Sequence, residues 1–299
     1  MGSDEPRHAF MGDVQGCADE LDELLGRLED ELGTDYRLHC VGDLVNRGPY
    51  SLRALERMRE LVESDRAAYV LGNHEINLIS VFLGLRDPSA RDTLGDVLES
   101  REALDWVEWL RRRPLCEAGD LYGQRYVMVH ASVHPDWDFQ ECQRRAKRAS
   151  TRLSDPDIER CREFLREDPE PGSGRDDLAR LVSCRSVTAS GWSSEEPEPG
   201  ISKPWHQAWR ERNHDYGVVY GHWARQGLNV EPGLRGLDTG CVHHRRDLPG
   251  RLTAWLPAVD TDPSVRGPFG LPDRGFVQIP ARHEYGRVRE SAVQIGRAH

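Results

Sequence analysis

No two cysteines in this chain stand at the C-x-x-C spacing that holds zinc or shuttles disulfides. The seven cysteines (17, 40, 116, 142, 161, 184 and 241) are odd in number and scattered. That argues against a disulfide framework and for a reducing compartment. No stretch approaches the ~18 apolar residues of a membrane span. The polar start, Met1 to His8, leads into only a short apolar run, unlike a secretory signal. A cytoplasmic location is expected. Basic charge is also scarce: 40 Lys and Arg face 51 Asp and Glu, a net charge of −11. No chain-wide field draws nucleic acid, so a polyanionic ligand would need local arginines or metal ions. There is no internal repeat. The 299 residues, 37% of them hydrophobic, can bury a sizeable core and are read as one domain, 1–299.

What is there is a recurring pattern: a short apolar run ending in a polar side chain. Ala9-Phe10-Met11 ends at Gly12-Asp13-Val14-Gln15. Leu38 to Val41 ends at Gly42-Asp43, four residues before Arg47. Ala67 to Leu71 ends at Gly72-Asn73-His74-Glu75, Tyr126 to Val129 at His130, and Val218 to Tyr220 at Gly221-His222. Between them, Leu21, Leu24, Leu25, Leu28 and Leu32, then Leu52, Leu55, Met58 and Leu61, repeat at helical spacing. Further helices are expected over about 76–84 and 101–112. The alternation implies an α/β fold with a mostly parallel sheet, helices on its faces and ligands at the strands' carboxyl ends.

From 139 to 214 the chain turns rich in Arg, Glu, Asp, Pro and Ser. It is expected to form a mostly helical, cap-like insertion over the ligand edge. Strands return at 218–220, 236–238, 252–256 and 276–279, and 281–299 reads as a polar tail.

Asp13, Gln15, Asp43, Asn73, His130 and His222 supply two carboxylates, two amides and two imidazoles. Such mixed oxygen and nitrogen donors suit Mn²⁺, Co²⁺, Fe²⁺ or Zn²⁺ and suit Ca²⁺ poorly. A bridging aspartate can hold two ions about 3.5–4 Å apart, an arrangement used for phosphoryl displacement.

Asp13-Val14-Gln15-Gly16, Gly42-Asp43 to Gly48, Gly72-Asn73-His74-Glu75, His130 and Gly221-His222 form the motif series of the calcineurin-like phosphoesterases, in the phosphoprotein-phosphatase branch. Trp109 to Leu115, His134 to Asp138, Lys203-Pro204-Trp205, Gly221 to Ala224 and Leu237 to Cys241 extend the likeness to the symmetrical diadenosine tetraphosphatases. The resemblance implies a sheet sandwich flanked by helices. It implies two divalent ions, Mn²⁺ foremost. Asp13 and Gln15 would be on the first, Asp43 bridging, and Asn73, His130 and His222 on the second. It further implies Arg47 on phosphate, His74 as acid to the leaving oxygen, and attack in line by a hydroxide held between the ions. The implied reaction converts a small-molecule dinucleoside tetraphosphate such as Ap4A into two nucleoside diphosphates. Dephosphorylation of phosphoserine or phosphothreonine in proteins, and removal of nucleotide caps from RNA, are the alternatives.

Three departures stand out. Gln15 replaces a histidine common in the superfamily. Asn46 replaces the aspartate that orients the catalytic histidine in protein phosphatases, and is expected to accept a bond from His74. Thr188-Ala189-Ser190 stands where the subfamily has Thr-Arg-x-Arg, which makes Arg185 the substitute. Of the tryptophans at 137, 192, 205, 209 and 223, Trp205 and Trp223 are the two expected to stack on a base. Glu75 reads as a helix N-terminal charge, His243-His244-Arg245-Arg246 as a solvated loop, and Cys17 and Cys241 as structural residues near the site.

Overall fold

The computed structural model describes residues 7–257, 267–270 and 275–285. The chain runs β1 (Arg7–Met11), α1 (Ala18–Leu32), β2 (Tyr36–Cys40), α2 (Ser51–Glu63), β3 (Ala67–Tyr69), α3 (Asn73–Phe82), α4 (Gly95–Leu98) and α5 (Ala103–Arg111). A hairpin follows, β4 (Cys116–Leu121) and β5 (Gln124–Val129). The leucines spaced along α1 and α2 all face inward except Leu52, and Gly33 closes α1 at φ 72°.

Residues 139–214 form α6 (Phe139–Leu153), α7 (Ile158–Arg166), α8 (Gly174–Ser183) and α9 (Trp205–Arg210). Three two-residue strands, β6 (Ser186–Val187), β7 (Trp192–Ser193) and β8 (Lys203–Pro204), pair as a small sheet among them. The chain then returns through β9 (Gly217–Tyr220), β10 (Asn229–Glu231), β11 (Leu234–Gly236), β12 (Arg251–Trp255) and β13 (Phe276–Pro280).

The strands divide between two five-stranded sheets, in the orders β13-β12-β1-β2-β3 and β10-β11-β9-β5-β4. This is the sandwich the resemblance implies, and it corrects the single, mostly parallel sheet expected from the alternation. β1, β2 and β3 are parallel, as are β5, β9 and β11, but β12, β13, β4 and β10 run antiparallel to their neighbours. Between the sheets lies a layer of Phe10, Val41, Tyr126, Met128, Val219 and Trp255, with Phe10 edge-on to Tyr126 at 5.2 Å. Each such side chain is worth on the order of 1.5–3 kcal/mol when buried. The interface therefore holds the two sets of strand ends in fixed register. His39 on β2 also reaches across to Glu117 on β4 at 3.1 Å.

Of the expected tail, Ala281 and Tyr285 are buried in the body, and 286–299 lie outside the described residues.

Candidate active site

Loops at the carboxyl ends of β1, β2, β5 and β9, with the start of α3, bring all six expected donors together. Five of the eight described non-glycine residues with positive φ belong to this site: Gln15 (48°), Asp43 (53°), Asn46 (76°), Arg47 (65°) and His222 (67°). Left-handed backbone costs energy in side chains larger than glycine, and such strain concentrates at functional sites. The carboxylates are packed hard against glycines. A Cβ on Gly72 would strike Asp43 Oδ1, and one on Gly221 would strike Asp13 Oδ1.

The strained turns are held by Glu75. Its Oε2 accepts from Asp43 N at 2.9 Å and Gly72 N at 2.8 Å, and its Oε1 from Leu44 N at 2.8 Å and Val45 N at 3.2 Å. Burial pushes its pKa up to about 7, with Asp43 adding to the rise. Reading Glu75 as a helix-terminal charge was half the answer, since it also staples the Asp43 loop.

The donor atoms converge. His130 Nδ1 must donate to the Val41 carbonyl, 2.9 Å away, which leaves Nε2 as a lone pair facing Asn73 Oδ1 at 3.0 Å. His222 Nε2 donates to the Ser183 carbonyl at 3.1 Å, and its Nδ1 faces the same Asn73 oxygen at 2.8 Å. Burial lowers the pKa of both rings and so favours their neutral form. Asp43 Oδ1 stands 3.4 Å from His130 Nε2. With the Asn73 amide oxygen turned inward, three acceptors converge on one point as they would around a cation, and the outer nitrogens are fixed as those of metal-ligating histidines are.

Asp13 completes the group: one oxygen of Asp13, one of Asp43 and a His130 nitrogen lie within 4.8 Å of one another. Burial raises the Asp13 pKa, helped by Asp238 and Asp43. Burial also acts to raise that of Asp43, but His130 and His74 outweigh it and hold Asp43 below the usual value. Gln15 Nε2 donates to Asp43 Oδ2 at 3.1 Å, and a half-turn of its amide presents Oε1 to the same space. The donor set fits divalent cations.

His74 Nε2 is 3.8 Å from Asp43 Oδ2. Its Nδ1 is buried and has no hydrogen-bond partner among the described residues. The expected bond from His74 to Asn46 is not made. Instead Asn46 Oδ1 accepts from Arg47 N at 2.8 Å and Thr93 N at 2.9 Å, while its Nδ2 donates to Asp92 Oδ1 at 2.9 Å. Asp92 also takes Arg86 at 2.6 Å and Ser89 N at 2.8 Å, and lies 3.9 Å from Arg47 Nη1. Its pKa is held well below the usual range: burial opposes this, but the bonds from Asn46, Ser89 and Arg86 prevail. Arg47 Nη1 donates to the Arg91 carbonyl at 3.1 Å.

Arg185 reaches the site's edge, donating to the Ser194 carbonyl at 2.7 Å and the His222 carbonyl at 3.5 Å. The two tryptophans are corrections. Trp205 is wholly excluded from solvent and packs edge-on against Tyr220 at 5.0 Å, so no ring face is open to a base. Trp223 is 6% exposed, and its indole N–H is tied to the Glu196 carboxylate at 3.0 Å.

Two groups with no assigned role join the site. Asp238 is buried with its pKa pushed up to about 7, first by burial. His243, on the 3₁₀ turn Cys241–His243, has its pKa lowered first by desolvation and then by Arg47 and His74, with Asp43 opposing. Its place in the pair of histidines at 243 and 244 was the only sequence signal. A cavity of about 1270 Å³, lined by Trp137, Arg145, Arg180 and Trp192 among others, includes none of the six donors. Donor convergence, not cavity size, marks the chemistry.

A sandwich with mixed oxygen and imidazole donors at its strand ends is that of a metal-dependent phosphoesterase. The family model for calcineurin-like phosphoesterases matches residues 6–241, and the chain belongs to that family. It is 36% identical to the symmetrical bis(5′-nucleosyl)-tetraphosphatase of Bordetella pertussis, over 78% of this chain and 87% of that protein. It is 34% identical to the one of Citrobacter koseri, over 78% and 86%. Among solved structures it resembles a protein proposed to be a diadenosine tetraphosphatase, with TM-score 0.58, 23% identity and 94% and 96% of the two chains covered. A protein serine/threonine phosphatase from Saccharomyces cerevisiae aligns at TM-score 0.54 and 13% identity, over 94% and 81%.

Proposed function

We propose that this chain hydrolyses a dinucleoside tetraphosphate, Ap4A or a close analogue, symmetrically to two nucleoside diphosphates. The observation that carries the reading is the meeting of the His130, His222 and Asn73 lone pairs beside Asp43. It occurs in a chain about one-third identical to enzymes named for that reaction.

Asp13 and Gln15 would hold one cation, Asp43 would bridge, and Asn73, His130 and His222 would hold the other. When bound, such ions supply Lewis-acid charge to phosphoryl oxygens and acidify water. Mn²⁺ is the favoured ion, and Co²⁺, Fe²⁺ and Zn²⁺ suit the same donors.

The chain's own residues do the rest. Arg47, its guanidinium anchored to Arg91 at the mouth of the site, takes phosphoryl oxygens in its fork. His74 keeps Nε2 toward Asp43 and passes a proton from that atom to the leaving phosphate oxygen. Arg185 adds charge toward the remaining phosphates.

The seven cysteines are free thiols, in keeping with a cytoplasmic setting. No helix among the described residues is long and apolar enough to cross a membrane. Removal of nucleotide caps from RNA is a second use of the same anhydride cleavage, but the net charge of −11 disfavours extended RNA contact. The likeness to a protein phosphatase carries fold alone.

The test is a substrate panel at fixed Mn²⁺: Ap4A, nucleotide-capped RNA and a phosphothreonine peptide. The reading expects the highest kcat/KM on Ap4A. A higher value on the phosphopeptide would overturn it.

A further inference from the structure

Close to the hard donors of the active site lies a second convergence, of softer atoms. The thiols of Cys17 and Cys241 and a carboxylate oxygen of Glu20 lie within 4.8 Å of one another, all buried. Cys17 directly precedes α1, Glu20 lies in its first turn, and Cys241 opens the 3₁₀ turn that follows β11.

Glu20 is the unusual member. It is fully excluded from solvent, and among the described residues no cationic side chain pairs with it. Its partners are the Tyr285 hydroxyl, 2.7 and 2.6 Å from its two oxygens, and the Arg282 amide, 2.7 Å from Oε1. A buried carboxylate carries a desolvation cost that neutral donors only partly offset. A hydroxyl and a backbone N–H are also what holds a metal-ligating carboxylate in its orientation.

We propose that Cys17, Cys241 and Glu20 form a structural site for one thiophilic divalent cation of the Zn²⁺ class, separate from the catalytic pair. Two thiolates select for such an ion, whereas the active site offers only oxygen and nitrogen. Three protein donors leave one corner of a tetrahedron for a solvent oxygen. The site is closed, so the ion enters as the chain folds. Once there it ties the start of α1, the turn after β11 and the 281–285 segment together. Gln15 lies two residues before Cys17, and Asp238 three before Cys241. The ion thus braces two loops of the active site from behind.

The experiment uses Co²⁺ as the probe. The full chain, unfolded with chelator and reductant and refolded with excess Co²⁺, is expected to show a thiolate-to-cobalt charge-transfer band and tetrahedral d–d bands for one ion per chain. A Cys17→Ser/Cys241→Ser variant is expected to lose both while still taking up cobalt at the sulfur-free catalytic donors. Wild-type protein that refolds with full circular dichroism but shows no thiolate band would overturn the proposal. So would a band that survives in the double variant. For protein never unfolded, zinc-edge X-ray absorption after growth with added Zn²⁺ gives a second reading. A shell of sulfur at about 2.3 Å supports the site, and bound zinc without sulfur, or no zinc at all, contradicts it.

Discussion

His130 Nε2 and Asn73 Oδ1 face each other at 3.0 Å as two acceptors, because the proton of His130 is committed to the Val41 carbonyl. A cation held by both atoms resolves that contact, whereas a half-turn of the Asn73 amide would resolve it without metal. Asn73→Ala is therefore expected to weaken binding of one of two Mn²⁺ ions and to cut turnover by at least ~10²-fold, the scale of losing one transition-state electrostatic contact. Isothermal titration with the metal-stripped protein checks it. Two unchanged binding sites would remove Asn73 from the centre.

Glu75→Gln is expected to unfold the site more than it alters the chemistry. The carboxylate serves four backbone N–H groups, and a glutamine keeps one acceptor oxygen for them. At least two donors would be left buried and unpaired, at about 1–3 kcal/mol each. Urea denaturation should show the unfolding free energy falling by that amount, with the midpoint lowered in proportion. A wild-type midpoint would mean the staple is dispensable.

Arg47→Ala should lower kcat/KM by about 3 kcal/mol of transition-state stabilisation. Asp92 acts on the same loop through Asn46. Asp92→Asn should cost a smaller amount, about tenfold, comparable to the loss of an outer partner of a metal ligand. The one hydrogen bond between the two side chains is kept, with donor and acceptor exchanged, if the charge moves to position 46. Activity is accordingly expected to return in the Asn46→Asp/Asp92→Asn double variant. Steady-state kinetics of the three proteins decides it.

Stability should fall in mild acid by way of His8. Its Nδ1 lies 2.9 Å from His39 Nε2, and His39 Nδ1 lies 3.1 Å from Glu117. Burial, then the His39 charge, brings the His8 pKa down from 6.5 to about 4, with Glu117 opposing and Arg37 assisting. The unfolded chain takes this proton near 6.5 and the folded chain only near 4, so the contribution is lost as pH falls between those values. His8→Gln should flatten the stability profile across that window, as read by urea midpoints at several pH values. An unchanged slope would remove His8 from the acid response.

The frame and the donor set were legible because each rests on local pattern. Apolar runs stopping at Gly-Asp or Gly-Asn mark strand ends, and the α1 leucines mark one helical face. What was not legible depends on residues far apart in sequence. β4, with Glu117 and Gly119 in its middle, lacks the alternation that marks a strand. The partition into two sheets follows from β12 and β13 returning beside β1. Asn46 was expected on His74 because Asp92, 46 positions later, could not be seen to claim it. Trp205 carried no sign that both its faces would be covered.

The most direct test of the central claim is product analysis. The metal-stripped protein is incubated with Ap4A, with and without Mn²⁺, and the nucleotides are separated. ADP as sole product, formed only with the ion, is the predicted result. AMP with ATP would keep the metal centre but contradict symmetrical cleavage, and ADP formed without any divalent ion would contradict the role given to the six donors.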